Sequence, residues 1–179
     1  MSVHIALLRG INVGGHNCVS MADLRGLCGT LGLAGATSLL QSGNLVFQSE
    51  RLTGTTLEKL LEEETTRCLN VSVDYLIRSA AEWKKIVANN PFPKEASSDP
   101  GHLVVMFLKT APPAERVDAL QTAIKGPETI NCQGKQLYVV YPAGIGRSKL
   151  TIALIEKTLN SRGTGRNWNT ILKVAALCQ

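Results

Sequence analysis

The same order of strand-like and helix-like patterns occurs twice along this chain of 179 residues. The first half predicts strand, helix, strand, strand, helix and strand, followed by a short helix over residues 80–89. Residues 102–159 repeat the order strand, helix, strand, strand and helix, and one more helix closes the chain. A split β-α-β order folds into an antiparallel sheet with helices on one face. We therefore predict an α+β fold of two tandem ferredoxin-like (βαββαβ-type) units with antiparallel sheets.

Helix starts can be predicted from local capping signals. Ser20 and Asp23 resemble a capping box for the first helix, with aspartate in place of the usual glutamate. Thr55 and Glu58 match the same pattern and are expected to cap the second helix. In the second half, Ser148 is expected to begin a helix that runs to about residue 159.

Proline and small polar residues interrupt all periodicity over residues 91–101, which we interpret as a linker. The predicted organisation is then residues 1–90 as the first unit with its short helix, and residues 102–179 as a second βαββα unit with the C-terminal helix.

The composition is that of a folded protein, with 44% apolar and 18% charged residues. No apolar run approaches the roughly 20 residues that span a bilayer, and the N-terminus lacks the basic region of a signal peptide. We expect a cytoplasmic protein with no membrane partner.

The five cysteines form no CxxC pair and show no metal-ligand spacing, so we expect reduced structural thiols and no metal. Cys28 and Cys68 are expected at apolar helix positions.

The net charge of +5 comes entirely from the second half of the chain. Residues 1–95 contain nine basic and nine acidic residues, whereas residues 96–179 contain ten and five. A basic segment of this kind favours an anionic partner, although a solvated basic face with no ligand explains it equally well.

Two glycine-containing segments, each leading into a helix, contain the residue combinations that most suggest a binding site. They are Arg9–Gly15, after the first predicted strand, and Gly163–Thr170, before the last helix. Both combine glycine with arginine and side-chain amides, a combination suited to holding an anion near a helix N-terminus. Together with the segments around residues 41–44 and 147, they supply the candidate ligand-binding residues Arg9, Gly10, Asn12, Gly14, Gln41, Ser42, Asn44, Arg147, Arg166, Asn167, Trp168, Asn169 and Thr170.

Each of these motifs also has a purely structural explanation. The glycines allow unusual backbone angles in a crossover loop, and residues 41–44 are typical of a tight hairpin turn. Asn167 or Asn169 can cap the last helix, and Trp168 can pack into a core. No Rossmann fingerprint, Walker A lysine or GxSxG elbow is present, so no catalytic residue is identified.

Three stretches resemble the signature segments of domain-of-unknown-function family 1697. They are residues 7–15 (LLRGINVGG), residues 41–44 (QSGN) and residues 166–170 (RNWNT). The resemblance covers nearly the whole chain and implies a cytoplasmic α+β protein of mostly bacterial occurrence with no established activity. It gives no catalytic residue to carry over to this chain.

These observations lead to one functional hypothesis and two alternatives. We expect a small anionic or phosphorylated ligand, bound in a cleft between the two halves to which both Arg9 and Arg166 contribute. The alternatives are a single-stranded nucleic-acid-binding module and an enzyme acting on a phosphorylated small molecule. The sequence indicates neither a cofactor nor an oligomeric state.

Overall fold

The computed structural model describes every residue from Met1 to Gln179 and contains two four-stranded antiparallel sheets and seven α-helices. The strands are β1 Ser2–Arg9, β2 Ala34–Leu39, β3 Asn44–Ser49, β4 Asp74–Ser79, β5 Leu103–Leu108, β6 Thr129–Gln133, β7 Gln136–Val140 and β8 Gly163–Asn167. The helices are α1 Met21–Thr30, α2 Gly54–Leu69, α3 Ala80–Ala88, α4 Pro93–Ser98, α5 Ala114–Ala123, α6 Ile152–Leu159 and α7 Trp168–Leu177, with a 3-10 turn over Ile145–Arg147.

The chain divides into two compact units. The first unit comprises Met1–Lys85 together with Lys173–Gln179, and the second comprises Ile86–Leu172. The segment predicted as a linker, residues 91–101, contains the six-residue helix α4, which begins at a proline as helices commonly do. None of the seven helices combines the length and the hydrophobicity that spanning a bilayer requires.

In the first unit the strands are ordered β2-β3-β1-β4, so β1 is paired on both sides. Side chains alternate across a strand, and one face of this sheet forms a core with α1 and α2. Ala6, Leu8 and Phe47 come from the sheet, and Leu24 and Leu57 from the helices. The opposite face, which includes Ile5 and Leu7, is also buried. Burial on both faces explains why β1 reads as a continuous apolar run.

The second unit repeats this arrangement with the strand order β6-β7-β5-β8. Its core joins Val104, Met106 and Leu137 of the sheet to Leu120 of α5 and Ile155 of α6. The prediction of a second βαββα unit was incomplete, because residues 163–167 form strand β8 and are not a loop. A Cβ atom at Gly163 would lie 2.8 Å from the carbonyl oxygen of Phe107. The close approach of β8 to β5 therefore requires glycine at this position. Because glycine is untypical of strands, the sequence of β8 does not indicate a strand.

One predicted helix cap is confirmed, and three other helix predictions differ from the structure. Ser20 caps α1 as predicted, accepting a hydrogen bond from the backbone N–H of Asp23 at 2.9 Å. The first difference concerns α2. The N-cap of α2 is Thr53, not Thr55. Glu58 is buried and accepts a hydrogen bond from the backbone N–H of Ile77 in β4. Its carboxylate therefore links α2 to the sheet and does not complete a capping box.

The other two differences concern α6 and Cys68. Helix α6 begins at Ile152, where Thr151 accepts a hydrogen bond from the Leu154 backbone N–H. The predicted start at Ser148 was wrong, because the Ser148 hydroxyl contacts the Glu128 carboxylate instead. Cys28 is buried as predicted, whereas Cys68 is exposed near the end of α2.

Candidate functional site

The loop between β1 and α1, residues 10–20, has an unusual backbone. Residues 13–18 are all exposed. Five of its residues have a positive φ, namely Gly10, Asn12, Gly14, Gly15 and Asn17. Left-handed residues within a turn direct neighbouring N–H groups into a concave surface that attracts anions. The sequence therefore builds an exposed loop whose backbone, more than its side chains, can act as a donor.

Asn12 holds this loop in place. Its Nδ2 donates to the carbonyl oxygens of Val19 at 3.1 Å and Gln41 at 2.9 Å, and its Oδ1 accepts from the Val19 backbone N–H at 3.0 Å. Asn17 adds a hydrogen bond from Nδ2 to the Gly10 carbonyl oxygen at 3.2 Å. The loop is thus tied to its own far end and to the turn between β2 and β3.

That turn, residues 40–43, contacts both the loop, through the hydrogen bond from Asn12 to Gln41, and strand β1. The Gly43 carbonyl oxygen accepts from the Leu8 backbone N–H at 2.9 Å. Asn44 is fully buried, and its Nδ2 donates to the Leu39 carbonyl oxygen at 2.7 Å and to the Ser42 hydroxyl at 3.2 Å. The amide of Asn44 therefore shapes the turn from inside, and the exposed residues beside the loop are Gln41 and Ser42.

Arg9 stands at the base of the loop, where β1 ends. Its Nη1 lies 3.4 Å from Oδ2 of Asp74, the residue directly opposite in β4. The Arg9 side chain is 33% exposed and that of Asp74 is 18% exposed. Asp74 was not identified from the sequence. Because the last residue of β1 lies opposite the first residue of an antiparallel neighbouring strand, the position of Asp74 at the start of β4 was a signal that could have found it.

The second candidate motif lies largely inside the protein. Arg166 is 6% exposed, and its Nη1 donates to the Thr164 hydroxyl at 2.7 Å and the Gly165 carbonyl oxygen at 2.8 Å. Burial lowers the pKa of Arg166 to about 10, which still leaves it charged at neutral pH. Trp168 is 4% exposed.

The remaining residues of this motif begin helix α7. Asn167 Oδ1 accepts from the Thr170 backbone N–H at 3.0 Å and from the Thr170 hydroxyl at 3.1 Å, which is an N-cap. Asn169 is exposed on the first turn. Arg147 is also exposed. It was predicted to lie at the N-terminus of a helix beginning at Ser148, but it belongs to the 3-10 turn, and α6 begins only at Ile152.

Arg78 in β4 is the counterpart of Arg166. Arg78 pairs with Ile5 in the first sheet as Arg166 pairs with Val105 in the second. Each arginine donates to the carbonyl oxygen of the preceding residue at 2.8 Å, and each is buried. The residue after each arginine, Ser79 or Asn167, caps the helix that follows. The RNWNT segment therefore contains an architectural element that occurs twice in the chain.

The tyrosine and tryptophan side chains are not available for stacking on a nucleobase. All three tyrosines and both tryptophans are at most 4% exposed. Tyr138 donates its hydroxyl hydrogen bond to the Ile86 carbonyl oxygen at 2.8 Å, and Tyr141 donates to Leu150 at 3.0 Å. This burial offers no support for the single-strand stacking mode proposed from the sequence.

No group of three or more His, Cys, Asp or Glu side chains converges as a metal site would require. Among the histidines, His16 is exposed in the β1–α1 loop, and His102 contacts Asp99 through Nδ1 at 2.8 Å. His4 is 2% exposed and stacks on Phe47, with Nε2 3.0 Å from the Ser2 hydroxyl. Its Nδ1 is buried and has no hydrogen-bond partner.

Acidification is expected to destabilise the fold through His4. Burial lowers the pKa of His4, while the nearby Glu82 raises it in part. The unfolded chain therefore binds a proton more readily than the folded chain, and stability is lost as the pH falls below the unfolded value of about 6.5, by about 1.4 kcal/mol per unit of pKa lowering. Urea unfolding between pH 7.5 and 5 measures this loss, which His4→Phe should reduce. An equal pH dependence in His4→Phe would contradict it.

The chain belongs to a family described as proteins of unknown function, DUF1697, whose model matches residues 1–138. A conserved bacterial protein, SP0830 from Streptococcus pneumoniae, has a similar structure, with a TM-score of 0.75 and 22% sequence identity over 99% of both chains. That similarity establishes a shared fold. No curated protein matches the sequence. The family resemblance suggested by the motifs is confirmed over residues 1–138, which include LLRGINVGG and QSGN, whereas RNWNT lies beyond the matched residues.

Proposed function

We propose that this protein binds a small anionic or phosphorylated ligand at the β1–α1 loop of its first unit. The observation that carries the proposal is an exposed loop with five left-handed residues, fixed in position by Asn12 and preceded by Arg9. Preorganised backbone donors and one cation form a binding surface for a phosphate or carboxylate. The participation of Arg166 in the same site stays a prediction, and its Nη1 donates to the Thr164 hydroxyl and the Gly165 carbonyl oxygen of its own strand.

Two further predictions from the sequence belong to this proposal. Each unit is proposed to be ferredoxin-like, a view supported by the equivalent strand orders β2-β3-β1-β4 and β6-β7-β5-β8. A cytoplasmic location is supported by five free cysteines, two of which, Cys18 and Cys68, are exposed.

Arg9 and Asp74 make the proposal testable with substitutions of opposite effect. Asp74 compensates part of the Arg9 charge, so an anion at the loop competes with this carboxylate. Arg9→Gln should weaken binding of inorganic phosphate or a sugar phosphate by about tenfold. Asp74→Asn should strengthen binding roughly two- to fivefold, because a partly exposed ion pair contributes little. Isothermal titration calorimetry measures both changes.

Arg51→Gln is the matched control, because Arg51 is an exposed arginine that follows β3 at the opposite end of the same sheet. It removes the same charge and should leave the affinity unchanged. If Arg9→Gln and Asp74→Asn both lower the melting temperature and neither changes phosphate affinity, the loop is architectural and the proposal fails.

A further inference from the structure

Two large apolar side chains are exposed where the β1–α1 loop meets the turn between β2 and β3. Val13, within the loop, is 67% exposed, and Leu40, the first residue of the turn, is 50% exposed. The hydrogen bond from Asn12 to the Gln41 carbonyl oxygen joins the two segments. Val13 and Leu40 are each the chain neighbour of one of these partners, so they flank the junction of loop and turn. We call them the apolar pair.

The backbone of Leu40 has an unusual conformation for a leucine. Its φ is +61°, in the left-handed region that glycine and asparagine adopt most readily. Four other non-glycine residues of the chain have a positive φ, and all four are asparagines, namely Asn12, Asn17, Asn70 and Asn160. Because half of the Leu40 side chain is exposed, packing within the protein offsets little of the strain. Leucine here is therefore unfavourable for the fold, and a contact with a bound molecule gives it a role.

Val13 is presented at the end of a tight turn. Gly14 and Gly15 have φ values of +58° and +77°, and the Val13 carbonyl oxygen accepts from the His16 backbone N–H at 3.0 Å. Two consecutive left-handed residues form the two-residue turn that is typical of β-hairpins. The exposed valine is thus held in place by backbone hydrogen bonding.

The second unit has the same strand order without the long loop and the long turn. Residues 109–113 join β5 to α5, whereas residues 10–20 join β1 to α1, and no residue of 109–113 has a positive φ. Residues 134–135 join β6 to β7, whereas residues 40–43 join β2 to β3. A sheet of this order therefore forms without the additional residues that carry the apolar pair, which favours a role for them outside the sheet.

We infer that the ligand of the β1–α1 loop is an organic anion with an apolar group next to its phosphate or carboxylate, and that the apolar pair contacts this group. The inference rests on the proposed function, in which Arg9 and the loop backbone hold the charged end. The neighbouring Gln41 and Ser42 are exposed and polar, so the apolar surface is confined to two side chains. A stable protein interface needs about 800 Å² from each partner, more than two side chains supply. A small amphipathic ligand fits this surface better.

Two phosphate monoesters of equal charge test the inference on the full-length protein. Isothermal titration calorimetry compares n-butyl phosphate with methyl phosphate, which lacks the longer alkyl chain. Each methylene group fully removed from water raises the affinity about fourfold. Because the apolar pair covers only part of the butyl chain, the wild-type protein should bind butyl phosphate about fivefold more tightly or better.

Substitutions at the apolar pair provide a matched comparison. Val13→Thr combined with Leu40→Asn makes both side chains polar, and the preference for butyl phosphate should fall below about twofold. Val13→Ile combined with Leu40→Met keeps both positions apolar and should retain the preference. Leu40→Asn alone should raise the melting temperature by about 2 °C, because asparagine adopts a left-handed backbone more readily than leucine does. A more stable protein that has lost the preference has not lost it by unfolding.

Equal affinity of the wild-type protein for the two esters would overturn the inference, as would a preference that persists in the polar double variant. In either case, weaker binding of both esters to the Arg9→Gln protein would show that the proposed anion site still stands. If neither ester binds to the wild-type protein, the proposed function and the inference fail together.

Two further results would also overturn the inference. The first is a fall in the melting temperature of Leu40→Asn, which would show that the leucine stabilises the fold. The second is a concentration-dependent dimer in sedimentation velocity that the polar double variant abolishes, without any preference between the esters. That result would identify the apolar pair as a contact with a second copy of the chain.

Discussion

Replacing Trp168 with alanine is expected to lower the free energy of unfolding by about 3–5 kcal/mol. The indole is 4% exposed, so its removal both forfeits buried apolar surface and leaves a cavity. The backbone N–H of Trp168 donates to the Pro100 carbonyl oxygen at 3.2 Å, which fixes the start of α7. Equilibrium unfolding in urea, followed by far-UV circular dichroism, measures the loss.

Asn169→Ala is the matched control, since Asn169 is the next residue along the chain and is exposed on the same helical turn. We expect it to change stability by no more than about 0.5 kcal/mol. The sequence alone left open whether Trp168 packs in the core or stacks on a ligand. A Trp168→Ala protein of nearly wild-type stability that loses affinity for a nucleotide would show that the side chain serves a ligand, contrary to this prediction.

The repeated order of elements could be predicted because burial patterns at strands and helices depend on nearby residues. The existence of β1 and the cap of α1 at Ser20 follow directly from such local signals. Glu58 was assigned wrongly for the opposite reason. Its partner, the backbone N–H of Ile77, lies 19 residues away in the sequence, and a tertiary contact of this kind overrides a local capping pattern.

The candidate site shows the same division between local and tertiary information. The β1–α1 loop could be located from the sequence, because glycine and asparagine are the residues that most readily adopt a positive φ. Its contact with the hairpin turn is a tertiary contact that the sequence did not establish. It could not foresee the burial of Arg166, because an arginine after a glycine is typical of an exposed loop. Nor could it foresee the backbone hydrogen bond between Lys109 and Arg162, since this depends on the register of β5 against β8.

Gly43→Ala is expected to lower the free energy of unfolding by about 2–5 kcal/mol, for two separable reasons. The φ of +81° places Gly43 in the left-handed region, where a Cβ atom adds strain. In addition, that Cβ would lie 2.7 Å from Cδ1 of Ile11 and 2.8 Å from Cβ of Leu8, both of which are buried. Since Ile11 belongs to the β1–α1 loop, the clash displaces the loop as well as the turn.

Gly10→Ala separates the two contributions, because Gly10 has a φ of +70° but a Cβ atom there would meet nothing within 4 Å. It should cost only the left-handed strain, about 1–2 kcal/mol. Urea unfolding of both variants gives the steric part as their difference. Because Gly43→Ala also moves Ile11, it should weaken phosphate binding at the loop more than its stability loss alone explains when measured well below its melting temperature. Equal unfolding free energies for the two variants would show that the turn and the loop adjust to each other, and a loop that adjusts in this way is not preorganised for an anion.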